Sequence, residues 1–236
     1  MPTAATIASI MFAALYAGHQ LGDHVVQSNA VAAAKSVPDS EQLAAGMSPW
    51  TGWGACLRHV VGYTVTQAAA LAVVCVAVPL ELISMATALM VSASTHAVID
   101  RRWIVRQLIH IKKCHDWSEA PYLIDQSLHV GAMLIAVVLA VVVSDVVGLA
   151  TVAVGTGILV GAALTTEHRI AQARTRATDS IPFRVRVNGL LSTLWGAVTI
   201  GDSVVECHLP EQVEVGPAEH EPFPEFDLAY GALDSA

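Results

Sequence analysis

The sequence predicts an all-α integral membrane fold: a five-helix transmembrane bundle with a small C-terminal appendage, β-rich or interfacial, and a disordered acidic tail. Three observations carry that expectation. The 236 residues are 54% hydrophobic and 14% charged with a mean hydropathy of +0.57, too apolar for an ordinary soluble domain. Apolar runs near the ~20 residues that a spanning helix needs recur along the chain. Inside those runs sit three histidine–aspartate pairs at i, i+4 spacing: His19/Asp23, His96/Asp100 and Asp125/His129.

The spans fall at about 4–26, 54–79, 82–100, 123–143 and 146–165, which makes residues 1–166 the transmembrane domain. No Lys or Arg precedes the apolar run from Ala4 to Ala17, so it reads as a retained first helix and not as a cleaved signal peptide. The stretch 27–53 is polar, contains Lys35, Pro38, Gly46 and Pro49, and reads as a connecting loop. Pro79 breaks the second span from the third in a tight turn around Pro79–Glu81. The stretch 101–122 is basic and carries Trp103, Trp117 and Tyr122, aromatic types favoured at a membrane interface. Asp145 and Gly148 mark a second hairpin.

Beyond the fifth span, residues 167–209 read as a cytoplasmic appendage. Phe183–Val187 alternates apolar and basic residues, and Asn188-Gly189 and Gly201-Asp202 are turn signals, so a β-rich unit over about 181–208 is expected. Leu190–Trp195 would fit the membrane surface equally well. From Pro210 onward, four prolines and seven acids predict a disordered tail, open to a cytoplasmic partner.

Charge sharpens the picture. Of the net charge of −8, seven acids lie in residues 211–236; the rest of the chain has 13 acids against 12 bases, and nothing suggests nucleic-acid binding. With five spans all twelve bases fall on one side: Lys35 and Arg58, then the clusters 101–113 and 169–186. The excess of positive charge makes that side cytoplasmic in a bacterial inner membrane, with the N-terminus outside and the C-terminus inside. The cysteines, Cys56, Cys75, Cys114 and Cys207, have no metal-finger spacing, and no disulfide framework is expected.

On a helix, residues at i and i+4 share one face with Cβ atoms about 5–6 Å apart. Under the five-span topology His19 and Asp23, His96 and Asp100, Asp125 and His129, and His59 all lie at the cytoplasmic level, brought there by four different helices. Imidazoles and carboxylates gathered in an apolar setting suit a divalent metal such as Zn, Fe, Co or Mn. Seven candidate ligands exceed the four of one tetrahedral zinc, which leaves a two-metal site open. His24 points about 100° away from Asp23 and has uncertain membership. Glu81 and Asp145, on the far side, read as solvated turn residues.

The run His19-Gln20-Leu21-Gly22-Asp23-His24-Val25-Val26-Gln27, with Lys35 beyond it, resembles the opening motif of a family of bacterial and phage inner-membrane proteins catalogued as domain of unknown function 3307. Arg58-His59, His96-Ala97-Val98-Ile99-Asp100 and Asp125-Gln126-Ser127-Leu128-His129 resemble its further motifs, so the likeness covers about residues 8–140. It implies a helical membrane protein with a polar site and supplies no reaction. Where the resemblance would put a lysine soon after His96–Asp100, this chain has Arg101, Arg102 and Trp103. A looser similarity is to membrane-bound metal-dependent hydrolases.

The expected use is metal-dependent hydrolysis of a lipid-linked or membrane-proximal substrate, with one of Asp23, Asp100 or Asp125 left as general base. Gln27 and Gln126 would donate hydrogen bonds to substrate, and Arg58, Arg101 and Arg102 would hold a phosphate. Two other classes compete: a cation- or proton-handling protein, and a membrane-anchored scaffold in which the His/Asp set only ties helices together.

Overall fold

Long apolar helices alternate here with short capped ones. The structure, a computed structural model, describes residues 3–179, so the expected β-rich unit over 181–208 and the tail 210–236 lie outside the described residues. Helix α1 (Ala4–Leu21) starts where the Thr3 hydroxyl accepts the Thr6 N–H at 3.2 Å. It runs into a single π turn over Gly22–Val26, in which the Gln27 N–H reaches back five residues to the Gly22 carbonyl at 3.0 Å. The polar stretch that follows is more than a plain loop. It folds into α2 (Asn29–Ala34), capped by Ser28, and α3 (Ser40–Ala44), where Asp39 and Gln42 form a capping box.

Next come α4 (Trp53–Cys75), α5 (Leu82–Ile99) and a short α6 (Trp103–Lys112) within the basic stretch. Helix α7 (Ala120–Val142) has Pro121 in its first turn, and α8 (Val146–Asp179) opens where the Asp145 carboxylate accepts the Gly148 N–H at 2.7 Å. Helix α8 therefore runs well past the expected end near 165, into the segment assigned to the appendage. Every element among the described residues is helical.

One apolar core joins α1, α4, α5 and α7 through Met11, Leu15, Leu71, Val91, Met133 and Val137. The fifth long helix is not part of that centre: α8 packs on the outside, against α5 and α3. Helices α1 and α4 come very close at Gly18, where a Cβ would lie 2.6 Å from the Gln67 Cα. Small residues allow such an approach, and Gln67 uses it to donate to the Leu15 carbonyl at 3.1 Å.

Among the described residues, four helices are long and apolar enough to cross a membrane: Ala4–Val26, Leu82–Ile99, Ala120–Val142 and Val146–Ala173. The sequence leads one to expect a fifth in α4, which does not reach that apolarity because His59, Thr64, Thr66 and Gln67 interrupt it. Its polar and apolar residues are sorted by side. His59, Tyr63 and Gln67 are buried, while Leu57, Val61, Val65 and Val73 are exposed.

The entry to α4 is fixed by Gly52, which has φ +90°. A Cβ there would stand 2.6 Å from the Ala34 carbonyl and from Arg101 Nη1, and 2.7 Å from the Ser36 carbonyl. Gly52→Ala should therefore destabilise the fold by about 1–3 kcal/mol or more, since a strained left-handed residue alone accounts for that much. Gly54→Ala, with open space around it, should be close to neutral. Thermal unfolding of both variants in mild detergent checks the contrast.

Candidate metal centre

The topology brings one end of each core helix together. Helix α1 delivers His19 in its last turn and the π turn delivers Asp23; α5 delivers His96 and, as its C-terminal cap, Asp100. Helices α4 and α7 begin at the same end, with His59 near the start of one and Asp125, Gln126 and His129 near the start of the other. All seven sequence-predicted ligands lie in one cluster, each side chain at most 8% exposed. Water cannot solvate carboxylates at that depth, so partners must.

The partners are arranged around a point. His59 Nε2 and His96 Nε2 lie 2.9 Å apart. Asp23 Oδ1 is 3.2 Å from the first and 3.6 Å from the second. Asp100 Oδ2 is 3.4 Å from the first and 3.2 Å from the second. Yet Asp23 Oδ1 and Asp100 Oδ2 accept no hydrogen bond of sound geometry. Two ligands ~2.0–2.1 Å from a tetrahedral ion stand about 3.3–3.4 Å from each other, close to the spacing each carboxylate oxygen keeps from the two imidazole nitrogens. The set Asp23, His59, His96 could hold a metal ion, and Asp100 Oδ2 lies beside its two imidazole nitrogens.

A second group, His19, His96 and His129, is also close enough to share an ion. Here, though, His19 Nε2 is engaged with Gln126 Oε1 at 3.0 Å and its Nδ1 faces Asp23 Oδ2 at 3.5 Å. His129 Nε2 lies 3.6 Å from Asp125 Oδ2 and 3.7 Å from Asp100 Oδ1, without a hydrogen bond to either. The imidazoles crowd together at tilted angles: ring centroids are 4.2 Å apart for His96 and His129, and 5.1 Å for His19 and His129.

Residues that the sequence reading left aside hold this cluster in place. Tyr63 lies flat on His96 with centroids 3.7 Å apart, and its hydroxyl exchanges a 2.9 Å hydrogen bond with Ser92 and receives one from Gln67 at 2.7 Å. The signal was present as two polar stripes at i, i+4, His59–Tyr63–Gln67 on α4 and Ser92–His96–Asp100 on α5. Lys35, at the end of α2, buries its ammonium 2.9 Å from Asp100 Oδ1 and 3.4 Å from Gln27 Oε1.

Not every predicted site residue joins. Arg58 is exposed and makes no hydrogen bond or ion pair to the cluster, and His24 stays exposed with its ring 6.2 Å from Tyr122. Arg101 is fully buried, but not as a phosphate clamp. Its Nε donates to both oxygens of Glu167 at 3.0 and 3.2 Å, Nη2 adds Glu167 and the Thr51 carbonyl, and Nη1 donates to the Lys35 carbonyl at 2.8 Å.

Fold and site thus define a helical protein with four helices apolar enough to cross a membrane and a buried His/Asp cluster that could hold a metal ion. The chain belongs to the family described as "Protein of unknown function (DUF3307)", whose model matches residues 11–154 and takes in every residue of the cluster. No curated protein and no solved structure matches the chain.

A cation that binds the folded arrangement and not the unfolded chain stabilises it by about 2.7 kcal/mol at 100 times its Kd. Zn or Mn added to chelator-treated protein should therefore raise the unfolding temperature in detergent, and His59→Ala should abolish the response. An equal rise in His59→Ala would contradict the ligand set.

Proposed function

We propose that this chain is a metal-dependent hydrolase of the membrane, acting on a lipid-linked or membrane-proximal substrate, with Asp23, His59, His96 and Asp100 as the ligands of its cation. The observation that carries the reading is the spacing of each carboxylate oxygen from the two imidazole nitrogens, 3.2–3.6 Å, with those nitrogens 2.9 Å apart and both carboxylate oxygens lacking hydrogen bonds. Two imidazoles and two carboxylates suit Zn, Fe, Co or Mn, and the two negative charges match one divalent ion. When bound, such an ion polarises a phosphoryl or acyl oxygen and acidifies a water.

The remaining residues take the other tasks. Asp125 lies outside the four-atom set beside His129, and serves as the general base that removes the proton of the attacking water. Gln126, next to it and bonded to His19, and Gln27, with a buried Nε2 that has no hydrogen-bond partner, donate to substrate oxygens. Arg58, exposed at the start of α4, meets an anionic headgroup at the membrane surface.

The membrane placement follows the charges. With α4 crossing beside the four apolar helices and Val61, Val65 and Val73 toward lipid, the cluster and the Lys and Arg residues from Lys35 to Arg169 share one level. That level is cytoplasmic by the positive-inside rule, in a bacterial inner membrane with the start of α1 on the outer side. A substrate would reach the cluster from the headgroup layer.

Protein purified in mild detergent should carry a stoichiometric divalent metal by elemental analysis, lost in His96→Ala and Asp100→Ala. Asp125→Asn should keep its metal and lose hydrolysis of lipid-phosphate or ester substrates by roughly 100-fold or more, the usual contribution of a general base. Well-folded wild-type protein that binds no metal even after reloading would end the hydrolase reading.

A further inference from the structure

We infer that Lys35 takes the place of a second metal ion, so that the centre is mononuclear with a built-in ammonium. The inference rests on the metal reading above and goes beyond it, because a cluster this rich in ligands has the means to hold two ions.

The two oxygens of Asp100 face different sets. Oδ2 belongs to the group with His59, His96 and Asp23. Oδ1 faces His129 Nε2 at 3.7 Å, and His129 Nε2 in turn faces Asp125 Oδ2 at 3.6 Å. A carboxylate bridging two metals uses its oxygens in this way, one for each ion. The set Asp100 Oδ1, His129 and Asp125 would be the second ion's ligands. Lys35 Nζ stands 2.9 Å from that same Oδ1, which is the atom a second ion would need most.

Charge points the same way. One divalent ion and the Lys35 ammonium together balance the three carboxylates of the cluster, Asp23, Asp100 and Asp125. A second divalent ion beside the ammonium would leave a buried excess of two positive charges, with no carboxylate of the cluster remaining to oppose them. The chain is built to keep Lys35 there. Its carbonyl is held by Arg101 Nη1 at 2.8 Å, its ammonium also donates to Gln27, and its side chain is 6% exposed. The backbone anchor does not depend on the side chain, so substitutions at Lys35 leave it in place.

The test is metal stoichiometry and electron paramagnetic resonance of the full chain loaded with Mn(II). Wild type should bind one ion and give the six-line spectrum of an isolated centre; Lys35→Arg should do the same. Lys35→Met, with the charge removed, should accept a second ion and show the broadened spectrum of a coupled pair. A coupled pair in wild type would overturn the inference and leave the metal reading standing. One ion in Lys35→Met, folded as judged by its elution from a sizing column, would also overturn it. Failure of wild type to bind any ion would remove both. Should Lys35→Met not fold, Lys35→Gln, which also removes the charge, is read in its place, with the same two outcomes.

Discussion

Three carboxylates and four imidazoles are enclosed inside the helical bundle, and the arrangement around them answers that constraint. An isolated buried carboxylate is so unfavourable that the group must find a proton, a hydrogen bond or a cation. Here the usual solutions are only half used. His19 Nε2 is satisfied by Gln126, and Asp100 Oδ1 by Lys35, but His19 Nδ1, Asp23 Oδ1, His96 Nδ1, Asp100 Oδ2 and His129 Nε2 are not. The aligned Tyr63 ring, the Ser92 hydroxyl and the Gln67 amide keep His96 from turning away to find a partner of its own. An arrangement held rigid around unsatisfied ligand atoms is how a site prepares for an ion it does not have to reorganise to receive.

The irregular backbone at the end of the first helix belongs to the same design. A π turn is uncommon and gathers at functional sites. This one sets Asp23 between two imidazoles from different helices, His19 Nδ1 at 3.5 Å and His59 Nε2 at 3.2 Å, and then sends Gln27 out in an extended conformation to meet Lys35. Gly22 opens that turn against α4, where a Cβ would come within 3.0 Å of the Thr66 hydroxyl.

Much of the site was legible in the sequence because ionisable residues in apolar runs have few explanations. The pairs His19/Asp23, His96/Asp100 and Asp125/His129 announced both a helix and a shared face, and His59 joined them through depth alone. What stayed hidden was set by tertiary packing. Lys35 leaves a polar connecting segment and no periodicity ties it to Asp100, 65 residues on. Arg101 looked like a surface base because its partner Glu167 lies in another helix. The polar stripe of α4 lowered its apolarity and concealed an apolar outer face that emerges only once the inner face is known. The continuation of α8 to Asp179 passes through polar residues that carry no stop signal before that point.

Asp100 and Arg101 are covalent neighbours whose side chains go to separate destinations, one to the ligand set and the other to Glu167 on α8. The backbone just after them is fixed as well: the Val37 N–H bonds the Arg101 carbonyl at 3.2 Å, and Arg102 closes the helix end in a left-handed conformation with φ 60°. There is little slack in this joint. A displacement of Glu167 along α8 would pass through the Arg101 side chain to the neighbouring carboxylate, with no loop between to absorb it.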